Sequence, residues 1–308
     1  MTRVKGALAA GLIVAPLLLA WGCAPVPLTT ASPDELVEFI SDLIIEPETT
    51  CAQLRHRYGV DYLPVVDTPA GAGLEFEETW LDAGDGAFVQ VWYLPSQLDR
   101  GTIIYSNGSS GEMACYLFVP RLLVRNGWSV VMYNYRGVGL SIGKPSILTL
   151  EADLDRVLDW TLERTGRERV TLMGLSLGSI PSTAVAERRP EAVNGLILDS
   201  PLALGEAVSR FRLLFGPLTS MLAGKLDRRV LVEELITQIE APLLIFAHGR
   251  DFLTPLRTVE TIYFRAPDPK EMVVFEDMVH ANGAFRNTYQ YTFSLEQFLA
   301  GAWTPGAP

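Results

Sequence analysis

Gly174-Leu175-Ser176-Leu177-Gly178 stands between the short apolar run Val170–Met173 and a helical pattern over Ser179–Glu187. A run that short, bounded in this way, reads as a buried strand. A chain that leaves a buried strand and enters a helix within five residues has to turn sharply. Glycine on each side of the serine suits such a turn, because a Cβ there would clash. The turn holds Ser176 in a strained conformation that lifts its hydroxyl clear of the backbone. The free N–H groups of the new helix point the same way. Gly-x-Ser-x-Gly in a strand–turn–helix context is therefore the pattern of an exposed nucleophile.

The flanking sequence extends the unit into a sheet. Compact apolar runs recur at Thr102–Tyr105, Ser129–Tyr133, Val170–Met173, Gly195–Leu198, Leu243–Ala247 and Met272–Phe275. Continuous runs of this kind suit parallel strands buried on both faces. Helical patterns at Met113–Arg125, Thr149–Glu163, Ser179–Glu187, Leu256–Phe264 and Phe285–Leu299 separate most of them. The alternation predicts an α/β, mostly parallel, doubly wound sheet over residues 73–300. Ahead of it, Leu74–Leu81 alternates apolar and polar, and Ala87–Tyr93 follows a turn at Asp85-Gly86. These two predict an antiparallel edge. One connection is long, about 40 residues from Ser200 to Ala241. It is read as a small helical cap, about 204–239, over the strand ends, with Phe211, Leu213, Leu214, Phe215, Leu218, Met221 and Leu222 as its apolar content. Residues 32–72 form a helical extension. Ser32-Pro33-Asp34-Glu35 supplies a capping box for its first helix, expected to pack outside the main domain.

A serine hydroxyl needs a base, and the base needs an orienting acid. Three histidines are present. His56 precedes the sheet and His248 ends a strand, whereas His280 follows the last strand, on a loop able to reach Ser176. The acid belongs on the loop after Leu243–Ala247, which makes Asp251 the candidate and Asp199, at the end of the preceding strand, the rival. A tetrahedral intermediate requires two backbone N–H donors. Leu177, directly after the serine, supplies one. Ser109, in the Gly- and Ser-rich stretch Ser106–Gly111, supplies the other.

With these residues in place, the chain resembles the α/β-hydrolase superfamily over about residues 70–300. Tyr135-Arg136-Gly137-Val138-Gly139-Leu140-Ser141, continuing through Gly143-Lys144-Pro145-Ser146, is similar to the loop after the fourth strand of small-capped serine hydrolases. These belong to the depalmitoylating and lysophospholipase-like branch. The resemblance implies nucleophile Ser176, acid Asp251, base His280 and oxyanion amides at Ser109 and Leu177. It implies no metal or other cofactor. The family usually has His-Gly where this chain has Asn107-Gly108, and that histidine supports the oxyanion loop.

The N-terminus reads as an address. Arg3 and Lys5 precede the apolar run Ala7–Trp21, which is short for a membrane span and contains Pro16. The sequence Leu19-Ala20-Trp21-Gly22-Cys23 resembles a bacterial lipobox, which implies removal of residues 1–22 and lipidation of Cys23. Residues 23–31 then form a tether, and 301–308 a short tail. The precursor has 25 Lys and Arg against 36 Asp and Glu, a net charge of −11. Removing residues 1–22 deletes Arg3 and Lys5 and no acid, which leaves −13. So acidic a body lacks the cationic face that nucleic acid requires. It would sit at a bacterial envelope membrane, with the outer membrane favoured, through acyl chains rather than a basic patch. Of the other cysteines, Cys51 and Cys115 either pair in that oxidising compartment or leave Cys115 as a small buried apolar side chain. Zinc-type spacing is absent from the sequence.

Together these observations point to a serine esterase or thioesterase acting on a small-molecule acyl substrate. A peptidase or acyltransferase on the same triad is the alternative, as is a non-catalytic binding lipoprotein with the same fold.

Overall fold

The computed structural model describes residues 31–61, 66, 68–209 and 224–302. The strands are β1 (Glu77–Gly84), β2 (Ala87–Leu94), β3 (Gly101–Ser106), β4 (Trp128–Tyr133), β5 (Val170–Leu175), β6 (Val193–Asp199), β7 (Leu243–His248) and β8 (Lys270–Phe275). They form one sheet in the order β1-β2-β4-β3-β5-β6-β7-β8. The pairings from β4 through β8 are parallel, while β1–β2 and β2–β4 are antiparallel. Helices of two turns or more are α1 (Pro33–Ile44), α2 (Cys51–Tyr58), α3 (Phe118–Arg125), α4 (Leu150–Thr165), α5 (Ser179–Arg188), α6 (Leu256–Arg265) and α7 (Thr288–Ala302).

Successive side chains of a strand point to opposite faces. The sheet's two cores follow that rule. Ile104, Leu172, Leu196, Leu198 and Ile245 join α4, α5 and α6 on one face. Ile103, Tyr105, Met173, Ile197, Leu244 and Phe246 join α2, α3 and α7 on the other. Every residue of β3, β4, β5 and β7 is buried, which explains why those segments read as continuous apolar runs.

Several elements differ from expectation. Helix α1 is capped by Ser32 and Glu35 in both directions. It is not an appendage outside the domain, since Leu36, Val37 and Ile40 join the larger core. Leu74 lies in a turn ahead of β1, its N–H bonded to the Pro69 carbonyl at 2.9 Å. The run Met113–Arg125 divides into a tight turn at Met113–Tyr116 and helix α3. Pro120 lacks an N–H and is accommodated in the first turn of α3. The pattern at Phe285–Leu299 breaks at Asn287, whose side chain accepts from Gln290 N and caps α7. Within the expected cap, Leu204–Ser209 is helical. Leu226, Val230, Val232, Ile236 and Ile239 instead belong to the main core. Phe211, Leu213, Leu214, Phe215, Leu218, Met221 and Leu222 lie outside the described residues, as do Cys23 and the address segment.

Candidate active site

Ser176 follows β5 with φ of +50°, a left-handed conformation that is strained for a residue with a Cβ. Both flanking glycines are required by space. A Cβ on Gly174 would overlap the Gly178 carbonyl, and a Cβ on Gly178 would overlap the Ser106 carbonyl. The second glycine thus lets the start of α5 press against the end of β3. Ser176 remains partly exposed in a surrounding of buried residues.

Asp251 and His280 meet across the loops after β7 and β8. Asp251 Oδ2 lies 2.7 Å from His280 Nδ1, and both side chains are buried. Asp251 also accepts from Leu253 N at 2.8 Å, Thr254 N at 2.9 Å and Thr254 Oγ1 at 2.7 Å. Burial pushes its carboxyl up, but the His280 ring and the Thr254 donors outweigh that, so it is held below the usual carboxylate range. An ionised Asp251 fixes the proton of neutral His280 on Nδ1 and leaves Nε2 as the basic nitrogen. No hydrogen bond joins Ser176 Oγ to His280 among the described residues. Such contacts commonly tighten only when substrate binds.

The rival acid is engaged elsewhere. Asp199 accepts from Tyr291 OH at 2.7 Å and from Ser200 Oγ at 3.2 Å, and makes no hydrogen bond to His280. It belongs to a buried relay whose directions are set by its ends. Gly283 N donates to His248 Nε2 at 2.9 Å, so the His248 proton sits on Nδ1. That nitrogen donates to Ser200 Oγ at 2.9 Å. Ala281 N donates to the same hydroxyl at 3.1 Å, and the hydroxyl's own proton goes to Asp199. Burial is the main cause that lowers the His248 pKa, which keeps the ring neutral. The relay pins the stretch directly after His280, at Ala281 and at Gly283. The sequence reading sets His248 aside as a base and gives Ser200 no role. Their signal was the placement of Asp199-Ser200 and His248 at the ends of neighbouring strands.

The loop after β3 approaches the turn through the Ser106 and Asn107 carbonyls, which lie against Gly178. Leu177 opens a helix, where N–H groups have no intrahelical partner. The Ser109 N–H donates to no group among the described residues, while its carbonyl accepts from Glu46 N at 2.8 Å. Asn107, standing in place of the expected histidine, ties this loop to the end of β4: its Nδ2 donates to the Tyr133 carbonyl at 3.1 Å. Tyr135 OH donates to the Asn107 carbonyl at 2.6 Å. The loop carrying Tyr135 is itself anchored by a buried ion pair between Arg136 and Asp153. Its resemblance to a known loop therefore has a structural role beside the site.

The extension ahead of the sheet also reaches the site, which the sequence reading did not foresee. Glu46 Oε2 accepts from Ser110 Oγ at 3.0 Å and Arg57 Nη2 at 2.8 Å. Arg57 Nη1 donates to Ser110 Oγ at 2.9 Å. Cys51 of α2 is disulfide-bonded to Cys115, with a Cα–Cα separation of 4.8 Å. The Tyr58 ring stacks on His280, with centroids 6.3 Å apart. His56 is exposed beside Asp61, away from this cluster.

Comparison with known proteins places the geometry in a wider group. Residues 103–231 match a family model described as alpha/beta hydrolase fold. The uncharacterised protein YfhR of Escherichia coli O157:H7 is 26% identical over 242 residues, covering 74% of this chain and 82% of its own length. The uncharacterised protein MT2364 of Mycobacterium tuberculosis is 29% identical over 204 residues, covering 65% of this chain and 70% of its own. Among solved structures, the Pyrococcus furiosus esterase Pf2001 superposes with a TM-score of 0.64 at 20% identity, over 76% of this chain and 95% of that one. The sheet order, the turn at Ser176 and these matches show that this chain has the α/β-hydrolase fold.

Proposed function

We propose that this chain is a serine hydrolase that cleaves carboxylic esters or thioesters through an acyl-Ser176 intermediate. The observation that carries the reading is the buried Asp251–His280 pair at 2.7 Å, on neighbouring strand-end loops of the sheet that also presents a left-handed Ser176. An esterase of the same fold supports the choice of bond.

In the first half-reaction His280 Nε2 takes the Ser176 proton as Oγ attacks the acyl carbonyl carbon. The oxyanion is received by the Ser109 and Leu177 amides. Collapse expels the alcohol or thiol, which takes the proton from His280, and leaves acyl-Ser176. Water then attacks the acyl carbon with His280 again as base, the carboxylic acid departs, and Ser176 is restored. Asp251 remains ionised and stabilises the imidazolium formed in each half-reaction.

The proposal includes the address. Cleavage before Cys23 and lipidation of that residue would hold the acidic body at a bacterial envelope membrane. A tether of residues 24–30 would keep it within about 22 Å of the bilayer, since Ala31 is already buried in the folded body. Mass spectrometry of the native N-terminus tests this, and an unmodified Cys23 contradicts it. Fluorophosphonate labelling tests the enzyme reading: the wild type is expected to label and Ser176→Ala is not. Labelling that persists in the variant contradicts Ser176 as nucleophile.

A further inference from the structure

A cavity of about 130 Å³ lies beside the candidate active site, on the face of the sheet covered by α2 and α3. Leu54, Tyr58 and Val60 form one wall, and Ala114, Leu117 and Phe118 form the other. Leu175 and Ala281 also line it, and these are the chain neighbours of Ser176 and His280. The wall containing Tyr58 touches the site directly, through the ring stacked on His280.

Two features fix the walls against each other. Cys51 and Cys115 both line the cavity and are joined by the disulfide, one from each side. At the far end of α2, Asn282 Nδ2 donates to the Tyr58 carbonyl at 3.1 Å. The segment is therefore tied to the opposite wall at its start and to the His280 loop at its end. A cavity held in this way has little freedom to widen.

We infer that segment Cys51–Val60 supplies a wall of the acyl-binding pocket, and that the pocket takes a compact apolar acyl group of about four to six carbons. The inference rests on the acyl-enzyme reading above and narrows its substrate class. An apolar cavity of roughly 150 Å³ accommodates benzene; the space here is mostly apolar, with Arg55, Arg121 and Asp199 also in its lining, and suits a short, branched or aromatic acyl group. A palmitoyl chain overfills it. The cavity thus separates this chain from the long-chain specificity implied by the depalmitoylating resemblance. It also gives the N-terminal extension a part in selectivity.

The test is a series of p-nitrophenyl esters, from acetyl to palmitoyl, on the purified full-length protein. The wild type is expected to give its highest kcat/KM with butyryl or hexanoyl, falling at least tenfold by decanoyl. Ala114→Leu fills the cavity and should move the best ester to acetyl. Leu54→Ala enlarges it and should move the best ester to octanoyl, which keeps the test open should the filled variant not fold. A wild-type preference for dodecanoyl or longer overturns the inference, as does an unchanged profile in both variants. If no ester of any length is turned over and Ser176 takes no fluorophosphonate, the hydrolase reading itself fails. Turnover without chain-length discrimination overturns the pocket alone.

Discussion

The backbone N–H of Ala281 donates to Ser200 Oγ at 3.1 Å, which ties the residue after His280 to the residue after Asp199. Both residues have left-handed backbones, with φ of +54° and +50°. Strained residues persist only where their surroundings hold them. The Ser200 hydroxyl does this by accepting two hydrogen bonds and donating one. Ser200→Ala removes the acceptor for Ala281 N–H and for the buried His248 ring. Stability should fall by about 1–3 kcal/mol. Because the His280 loop would relax, kcat should drop roughly 10- to 100-fold with KM little changed. Urea titration and steady-state kinetics check both; a kcat equal to wild type removes the positioning role.

Asp251 and Asp199 are separated by their partners. Asp251→Asn with its amide nitrogen at the Oδ2 position sets a donor against the His280 Nδ1 proton and the Thr254 hydroxyl, so kcat should fall by about 10³–10⁴. Asp199→Asn disturbs only Ser200 and Tyr291, and its kcat should fall less than about tenfold despite a clear loss of stability. Equal losses from the two variants would contradict Asp251 as the orienting acid.

The buried His248 gives stability a pH dependence with a definite sign. Its folded-state pKa is lowered, so as pH falls through about 6.5 the unfolded chain takes up the proton first. Stability should be flat between about pH 7 and 8 and decline from about 6.5 downward. The depressed Asp251 carboxyl acts lower: its contribution is complete above about 3.9 and disappears as pH falls through its folded value. His248→Asn should flatten the slope between about pH 6.5 and 5, measured by urea midpoints, whatever its effect on absolute stability. A slope unchanged by that substitution assigns the dependence to another group.

The disulfide closes a loop between residues 64 apart in sequence. Loop-closure entropy for that length corresponds to about 4 kcal/mol. Reduction, or Cys51→Ser with Cys115→Ser, should lower the unfolding midpoint by roughly 8–16 °C. Thermal unfolding with and without reductant checks this, and a shift under about 3 °C would show that packing alone holds α2 in place.

The legible parts of the sequence were those in which one residue's chemistry forces local geometry. Gly174 and Gly178 marked the turn because any side chain there meets a carbonyl. Fully buried strands such as Leu243–His248 announced themselves as unbroken apolar runs. Ser32 and Glu35 placed the start of α1 through reciprocal bonds only three residues apart. What stayed hidden depends on distant partners. Glu46 and Arg57 carry no local signal, because Ser110 is brought to them only across the fold. Ser200 was one residue from a considered aspartate, but its role exists only because β6, β7 and the Ala281 loop converge on it. Residues 226–239 fall within the expected cap because its bounds follow the length of the connection, whereas packing against α5 places them in the main core.

The central claim is that Ser176 carries the acyl group between two half-reactions. Rapid mixing of the protein with p-nitrophenyl butyrate, quenched in acid and followed by peptide mass spectrometry, tests it most directly. The account predicts a burst of one p-nitrophenolate per protein molecule and a butyryl group on the peptide containing Ser176, both absent from Ser176→Ala. Steady ester hydrolysis by Ser176→Ala at the wild-type rate, or a butyryl group trapped on another residue, would contradict it.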